Sequence, residues 1–241
     1  MKKVVICGLS SRQNRPSNPW FDMIAVAKET WDSFDVPGVS TIWHLGEPAS
    51  PLQDRVVAFG IRDALDTLGH RNLAAFKFLL DHDPEWTYLA RINSSCYCSK
   101  KRLLDFCQGL PDTRAVVGGV VRGLDPPWMW GGLQYIFSRD VVQALVDNGD
   151  KWDHTKMEDV GMSRLMFDLG YEVHDRLGSG AIDVVAGRWR LLSHSSMPSF
   201  LFDDVAELKE KADIHFIRVK QDGAREKDKW LMRELKAKYD S

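Results

Sequence analysis

The sequence predicts a single α/β domain, residues 1–241, with a mainly parallel central sheet flanked by helices. Apolar strand-like runs alternate with segments of helical periodicity through the first half of the chain, which is the pattern of a parallel sheet with helical crossovers. A length of 241 residues with 44% hydrophobic residues suits one large globular domain. No internal repeat, linker or low-complexity tract divides the sequence.

Each element of the first half follows from its apolar spacing and from the residues that end it. Continuous apolar runs predict strands over residues 3–8, 39–45, 87–92 and 115–121. Apolar residues at helical spacing predict helices over residues 21–34, 55–68, 72–80 and 103–107. The polar stretch of residues 10–19 is predicted to form a loop at the carboxyl end of the first strand, where ligands bind in folds of this class.

Turn and capping residues define the second half. Prolines, tryptophans and glycines crowd residues 125–132, which we predict to be a loop without regular structure. Ser138 is expected to cap a helix through Val146, and a second helix, residues 158–169, ends at Gly170. Asp203 or Asp204 is expected to cap a helix through Lys211. Short strands are predicted over residues 171–174, 182–185 and 214–219, and a final helix over residues 225–239.

Charge and cysteine content limit the classes of function. Thirty-two basic residues against 34 acidic ones give a net charge of -2, so no overall field attracts a polyanion such as nucleic acid. The first apolar run is too short for a signal-peptide core, and no segment is long enough to span a bilayer. The four cysteines lack zinc-ribbon or thioredoxin spacing, so we expect reduced thiols and a cytoplasmic location.

Three polar clusters interrupt the apolar pattern at the ends of predicted elements. Arg91 and Asn93 end a strand with both side chains on one face, a pairing that suits phosphate better than a metal, although an ordinary strand end has the same appearance. Gly131-Gly132 allows a backbone to approach a ligand closely, but glycine pairs are also common in turns. Glu158-Asp159 begins a helix, where the helix dipole alone would favour carboxylates.

In order and spacing, from about residue 69 to 175, these clusters resemble glycosyltransferases of the GT-A fold, closest to the Fringe and β-1,3-glycosyltransferase group. The resemblance implies a Rossmann-like GT-A domain and a nucleotide-diphospho-sugar donor, expected to be UDP-linked. In those enzymes an Asp-x-Asp motif at a strand end holds a divalent metal on the donor diphosphate. A glycine-rich segment shapes the site between donor and acceptor, a Glu-Asp pair supplies the base, and a late histidine completes the metal site.

This chain departs from the family at the metal motif, where it has Arg91-Ile92-Asn93. Arginine cannot ligate a cation and asparagine is a weak ligand, so we expect catalysis without a metal, with Arg91 neutralising the diphosphate directly. Manganese or magnesium is the alternative, and His215, which matches the late histidine, would then be a ligand.

The resemblance also implies residue roles. Asp159 would deprotonate the acceptor hydroxyl in a single displacement with inversion, and Glu158 would orient the acceptor. The expected donor-binding residues are Arg91, Asn93, Arg12, Arg15, Arg71, His215, Arg218 and Lys220. The expected acceptor-binding residues are Gly131, Gly132, Trp128 and Trp130, with Trp152 a further aromatic candidate. The acceptor would be a glycan, a protein or a hydroxymethylated nucleic-acid base in a bacterial or virus-infected cell.

Two other readings compete with an active transferase. The chain could be a non-catalytic nucleotide-sugar or glycan-binding module that lost its metal site together with Asp-x-Asp. A dehydrogenase of the Rossmann type is disfavoured, because the turn after the first strand, Cys7-Gly8-Leu9-Ser10-Ser11, lacks Gly-x-Gly-x-x-Gly.

Overall fold

A computed structural model describes residues 2–12, 14–15, 18–121, 127–132, 134–174, 179–185, 188–193, 200–211, 214–219 and 226–240. Its strands, in chain order, are β1 (Val4–Leu9), β2 (Asn14–Arg15), β3 (Asn18–Pro19), β4 (Val39–Leu45), β5 (Ser50–Gln53), β6 (Val56–Ala58), β7 (Tyr88–Asn93), β8 (Cys96–Cys98), β9 (Val116–Gly118), β10 (Val120–Val121), β11 (Trp128–Met129), β12 (Gln134–Ser138), β13 (Ser179–Val185), β14 (Arg188–Ser193), β15 (Phe200–Phe202) and β16 (Phe216–Arg218). Its α-helices are α1 (Trp20–Glu29), α2 (Leu68–His82), α3 (Lys100–Gln108), α4 (Arg139–Asp147), α5 (Glu158–Asp168), α6 (Glu207–Lys211) and α7 (Glu226–Lys238).

The central sheet has seven strands in the order β5-β6-β4-β1-β7-β12-β9. Its four adjacent strands β6, β4, β1 and β7 are parallel, whereas β5 and β12 run antiparallel to their neighbours. All six residues of β1 are buried, as expected for a continuous apolar strand covered on both faces. The predicted α/β class with a parallel sheet at its centre is therefore confirmed.

Helices cover both faces of this sheet. One core contains Ile6 and Tyr88 together with buried residues of α1, α3 and α7. The opposite core contains Val5 and Leu89 together with buried residues of α2, α4 and α5. Alternate residues of the same strands thus enter different cores, which fixes the strand register, because a one-residue slip would exchange the two sets.

A second sheet places C-terminal residues beside the end of β7. Its order is β15-β14-β13-β16-β8, and β8 follows β7 after Ser94 and Ser95. β16 pairs antiparallel with β8, with Arg218 opposite Cys96. Residues more than a hundred positions after Asn93 in the sequence are thereby brought to the carboxyl edge of the central sheet.

Four local predictions were wrong. The predicted loop of residues 10–19 contains the short strands β2 and β3, which pair antiparallel. The predicted helix of residues 55–68 contains β6, because Asp54 and Arg55 adopt positive φ and turn the chain so that Val56 pairs with Trp43 of β4. The predicted loop of residues 125–132 contains β11, which pairs with β10. The predicted strand of residues 171–174 forms only a single bridge, between His174 and Val117.

Candidate functional site

The candidate site lies at the carboxyl edge of the parallel strands. Leu9, the last residue of β1, is in register with His44 of β4 on one side and Asn93 of β7 on the other. The loop after β1 and the end of β7 are therefore neighbours, in the position where open α/β sheets bind ligands. The N-terminal parts of α2 and α5 lie at this edge, because Arg71 of α2 donates to Ser10 O and Glu158 of α5 accepts from Arg91. The two helices also contact each other, since Asn72 Nδ2 donates to Glu158 Oε1 at 2.5 Å.

Arg91 is buried, with 1% of its surface exposed. Its Nη1 donates to Gly131 O at 3.0 Å and to Asn93 Oδ1 at 3.2 Å, and its Nη2 lies 3.4 Å from Glu158 Oε2. Its guanidinium lies 5.5 Å from the centre of the Tyr135 ring. The structure thus surrounds Arg91 with protein groups, and its predicted contact with donor phosphate stays a prediction.

Asn93 is half-buried at the end of β7. Its Nδ2 donates to Gly131 O at 3.1 Å and to Gly132 O at 3.3 Å. Both ends of this amide are therefore engaged with the protein, since its Oδ1 accepts from Arg91.

Glu158 and Asp159 are adjacent in sequence but have different environments. Glu158 is 7% exposed and lies between Asn72 and Arg91. Burial raises the pKa of Glu158 above its ordinary value; the charge of Asp159 adds to this rise, and Arg91 and Asn72 oppose it. Asp159 is half-buried, and its Oδ2 accepts from the Gly131 N–H at 3.1 Å. Of the two, Asp159 is the carboxylate better placed to meet a substrate.

The glycine pair is required by close contacts. A Cβ on Gly131 would lie 2.6 Å from Tyr135 Oη, 2.9 Å from Asp159 Cβ and 3.0 Å from Glu158 Oε2. A Cβ on Gly132 would collide with Arg218 Nη1 and lie 2.8 Å from the Trp130 ring. No larger residue fits either position without displacing a predicted site residue.

The predicted aromatic residues have different positions. Trp128 and Trp130 are half-buried, and the Arg218 guanidinium lies 5.7 Å from the centre of a Trp130 ring. Trp152 is buried and stacks on His154, so its indole belongs to the packing between α2 and α5. The structure therefore groups Trp130, Gly132 and Arg218, whereas Trp152 packs against Gly69 of α2 and Gly161 of α5.

The first loop is organised by Asp63, which the sequence analysis missed. Asp63 Oδ2 accepts from Ser11 Oγ and from the Arg12 N–H, each at 2.8 Å, and its Oδ1 accepts from Arg71 Nη1 at 2.7 Å. Arg71 is buried and also donates to Ser10 O. Its predicted donor contact stays a prediction, although here it holds the first loop in place.

Other predicted donor residues are differently placed. Arg12 is exposed and donates from Nη2 to Ser50 Oγ at 3.1 Å. Arg15 lies in β2, but its side chain is outside the described part of the structure, as is the whole of Lys220. His215 is 3% exposed, lies near Phe106 and Phe216, and has Gln134 Nε2 3.3 Å from its Nε2. Burial lowers the pKa of His215 to about 3, so this imidazole is neutral.

The described residues do not fit a divalent metal. Among them, no three His, Cys, Asp or Glu side chains lie close enough together to hold an ion. Arg91 and Asn93 occupy the position of the family's metal motif. Arg91 is a cation, and the Asn93 amide oxygen already accepts a hydrogen bond from it. His215 packs against Phe106 and Phe216, and its Nε2 lies beside the Gln134 amide.

Sequence reasoning also missed two residues near the carboxylates. Tyr135 lies beside the Arg91 guanidinium, and its hydroxyl has no hydrogen-bond partner among the described groups. Ser163 Oγ accepts from Met129 N at 2.8 Å and donates to Asp159 O at 2.6 Å, linking α5 to the segment before Gly131. Both lie in apolar runs that predict core packing, so no signal in the sequence distinguished them.

Comparison with known proteins identifies the fold. The crystal structure of a glycosyltransferase involved in the glycosylation of the major capsid of PBCV-1 aligns with 96% of this chain and 98% of its own, with a TM-score of 0.53 and 11% sequence identity. The expected α/β fold of GT-A type is thus confirmed, whereas membership of the Fringe group stays a prediction. No family model and no curated protein matches the sequence. Within the described ranges, no helix has the length and apolar content needed to cross a membrane.

Proposed function

We propose that this protein is a glycosyltransferase that moves a sugar from a nucleotide-diphospho-sugar, expected to be UDP-linked, to an acceptor hydroxyl. The main support is the position of Asp159 at the carboxyl edge of a glycosyltransferase fold, with its carboxylate anchored by the Gly131 N–H. Two separate segments, the glycine turn and the start of α5, meet there as the proposal requires.

The proposed reaction is a single displacement with inversion. Asp159 takes the proton from the acceptor hydroxyl while that oxygen bonds to the anomeric carbon and the bond to the donor phosphate breaks. Asp159 Oδ1 accepts from the Val160 N–H at 2.9 Å and Oδ2 from Gly131. Each oxygen keeps a further lone pair for the acceptor proton, because a carboxylate offers about four acceptor positions.

The donor would lie along the first loop and the glycine turn. Arg12 and Arg218 offer cations on the two sides of this edge, and negative charge developing on the leaving diphosphate needs such groups. Trp130 provides an aromatic face beside Gly132. Arg15 and Lys220 are further proposed donor contacts.

The acceptor is proposed to be a glycan or a protein, with a hydroxymethylated nucleic-acid base as the alternative. The net charge of -2 gives no field for nucleic acid, and the similar enzyme acts in capsid protein glycosylation. Trp128 and the glycine turn would form the acceptor side. We propose a cytoplasmic setting, in a bacterial or virus-infected cell.

A thermal-shift panel tests donor binding. UDP, GDP, CMP and UDP-sugars are each added with manganese and with EDTA; a ligand at about 100 times its Kd stabilises by about 2.7 kcal/mol. We expect UDP compounds to raise Tm in EDTA as well as in manganese. A shift that requires manganese would contradict metal independence, and the absence of any shift would contradict the donor class.

Measurement of turnover distinguishes an active transferase from a non-catalytic binding module, the alternative indicated by the absence of Asp-x-Asp. Asp159→Asn should lower kcat by about 10²–10⁴-fold and leave the Kd for UDP unchanged, because the variant loses the base and keeps the fold. Asp153→Asn is the matched control, since Asp153 precedes the same helix and bonds to Thr155. Donor binding without transfer or hydrolysis in the wild type would favour the binding module.

A further inference from the structure

Three distant segments of the site meet at the backbone of one residue, Gly131. The Gly131 carbonyl accepts hydrogen bonds from Arg91 Nη1 at 3.0 Å and Asn93 Nδ2 at 3.1 Å. The Gly131 N–H donates to Asp159 Oδ2 at 3.1 Å. The position of Gly131 therefore links the end of β7 to the carboxylate on α5.

The Asn93 amide can satisfy these contacts in only one orientation. Its oxygen must face Arg91 Nη1, which only donates, and its nitrogen must face the carbonyls of Gly131 and Gly132, which only accept. An aspartate at this position would direct an anionic oxygen towards two carbonyl oxygens. The residue type at position 93 thus suits binding of the turn.

Arg91 has a second set of contacts on its other side. Its Nη2 lies 3.4 Å from Glu158 Oε2, and Asn72 bonds the other oxygen of that carboxylate. With 1% of its surface exposed, Arg91 is enclosed by groups that pair with its charge and accept hydrogen bonds from Nη1 and Nη2, whereas its Nε has no hydrogen-bond partner among the described groups. A donor phosphate would have to displace some of these groups to reach the guanidinium.

We infer that Arg91 and Asn93 are positioning residues, which hold the Gly131–Gly132 turn and, through the Gly131 N–H, set the place of the Asp159 carboxylate. We call Arg91, Asn93 and this turn the Gly131 clasp. The inference rests on the proposed function, because it takes Asp159 as the base. In this inference Arg91-Ile92-Asn93 differs in role from Asp-x-Asp. The end of β7 binds the Gly131–Gly132 turn, and other cations bind the diphosphate.

Arg91→Lys tests the clasp, because lysine keeps the charge but cannot bridge Gly131 and Glu158 as a planar fork does. We expect kcat to fall by about 100-fold or more, since an ångström of misplacement has that effect, while the Kd for UDP stays within about threefold. The matched control is Arg139→Lys. Arg139 also donates to two carbonyls, Asp83 O and Leu80 O, and stacks on an indole, but it lies in α4 away from the site.

An effect of Arg91→Lys on donor binding, with little effect on kcat, would overturn the inference. If Arg91 binds phosphate, Arg91→Lys will weaken UDP binding by about tenfold or more and leave kcat at saturating donor near the wild-type value. Asn93→Asp is a second test. We expect this variant to lose turnover with or without manganese, because its carboxylate cannot donate to the carbonyls of Gly131 and Gly132. A manganese-dependent gain in turnover would show that the strand end still has a metal-site geometry.

Amide hydrogen exchange decides the question without any glycosyl transfer. The segment Trp128–Gly132 should exchange faster in Arg91→Lys than in the wild type, because the Gly131 carbonyl loses its bond to Arg91 and the turn no longer holds the Gly131 N–H firmly against Asp159. Arg139→Lys should leave that segment unchanged. Unchanged exchange in Arg91→Lys would refute the clasp. A wild-type protein that neither binds nor turns over a UDP-sugar would refute the proposed function and leave this readout valid.

Discussion

Gly131→Ala is the substitution whose consequences the structure defines most closely. The new methyl group would lie 2.9 Å from Asp159 Cβ and 2.6 Å from Tyr135 Oη. Because non-bonded carbons reach their optimum at about 3.5–4.0 Å, Asp159 must retreat by about 0.6–1.1 Å. Gly131 does not adopt a left-handed backbone, so these contacts, and not backbone strain, determine the outcome.

Two magnitudes follow. Overpacking of this kind costs about 1–3 kcal/mol, which for a chain of this size lowers Tm by about 2–12 °C. A base misplaced by up to about 1 Å reduces kcat by about 10–100-fold. The assays are thermal unfolding and donor turnover at saturating UDP-sugar. Gly109→Ala is the control, because its nearest contact would be an ordinary 3.6 Å.

A double variant separates stability from catalysis. Tyr135→Phe removes the hydroxyl nearest to the new methyl group, and this hydroxyl has no hydrogen-bond partner among the described residues. Gly131→Ala with Tyr135→Phe should therefore regain part of the lost Tm but not the lost kcat, since the contact with Asp159 remains. Wild-type kcat in a Gly131→Ala protein with a lowered Tm would refute the assignment of Asp159 as the base.

Two further predictions concern groups around the site. Asp63→Ala should destabilise the protein by about 3–5 kcal/mol, because buried Arg71 loses its carboxylate partner, and should raise the KM for donor, because the first loop loses its anchor. The control is Asp66→Ala, which removes an exposed ion pair and should change stability by less than about 1 kcal/mol. Equal effects of the two variants in urea unfolding would contradict this. The pKa of His215 is lowered to about 3, so the stability it contributes is present above the unfolded value near 6.5 and is lost as pH falls. Between pH 6.5 and 4.5 the wild type should lose about 2 kcal/mol more than His215→Gln, and parallel unfolding curves would refute the burial of this neutral imidazole.

The sequence predicted most reliably what depends on local spacing. The strand of residues 39–45 matches β4, and the helix start at Glu158 matches α5, because apolar period and polar boundaries report those elements directly. The same reasoning failed at residues 55–68. There, Val56, Phe59 and Leu65 have helical spacing, but Val56 belongs to the short strand β6, which forms because it pairs with β4. Pairing between distant strands outweighed the local apolar pattern. Because residues 55–68 were predicted to be a helix, the contact of Asp63 with the first loop was not predicted.

Residue identity and residue environment also differ in how far they can be predicted. Arg91 and Asn93 were recognised as unusual at a strand end, and their shared face is what lets them meet the same carbonyl. What they meet could not be deduced, because Gly131 is about forty positions away and reaches them through β12, which runs antiparallel beside β7. Glu158, which pairs with Arg91, belongs to a third segment.

The charge balance of the site connects the residue at position 91 with the choice of base. Burial, together with the charge of Asp159, raises the pKa of Glu158, and Arg91 and Asn72 are the groups that counteract this rise. Removing the cation would therefore favour protonation of Glu158 and abolish the ion pair that fixes it, whereas Asp159 would keep its two backbone donors. In a chain with Asp at position 91, a third carboxylate would join Glu158 and Asp159 in the absence of the arginine cation, and its negative charge would have to be offset by another positive group. The arginine at this strand end thus supplies the positive charge that pairs with Glu158, which is why the Arg91 variants test the site as a unit.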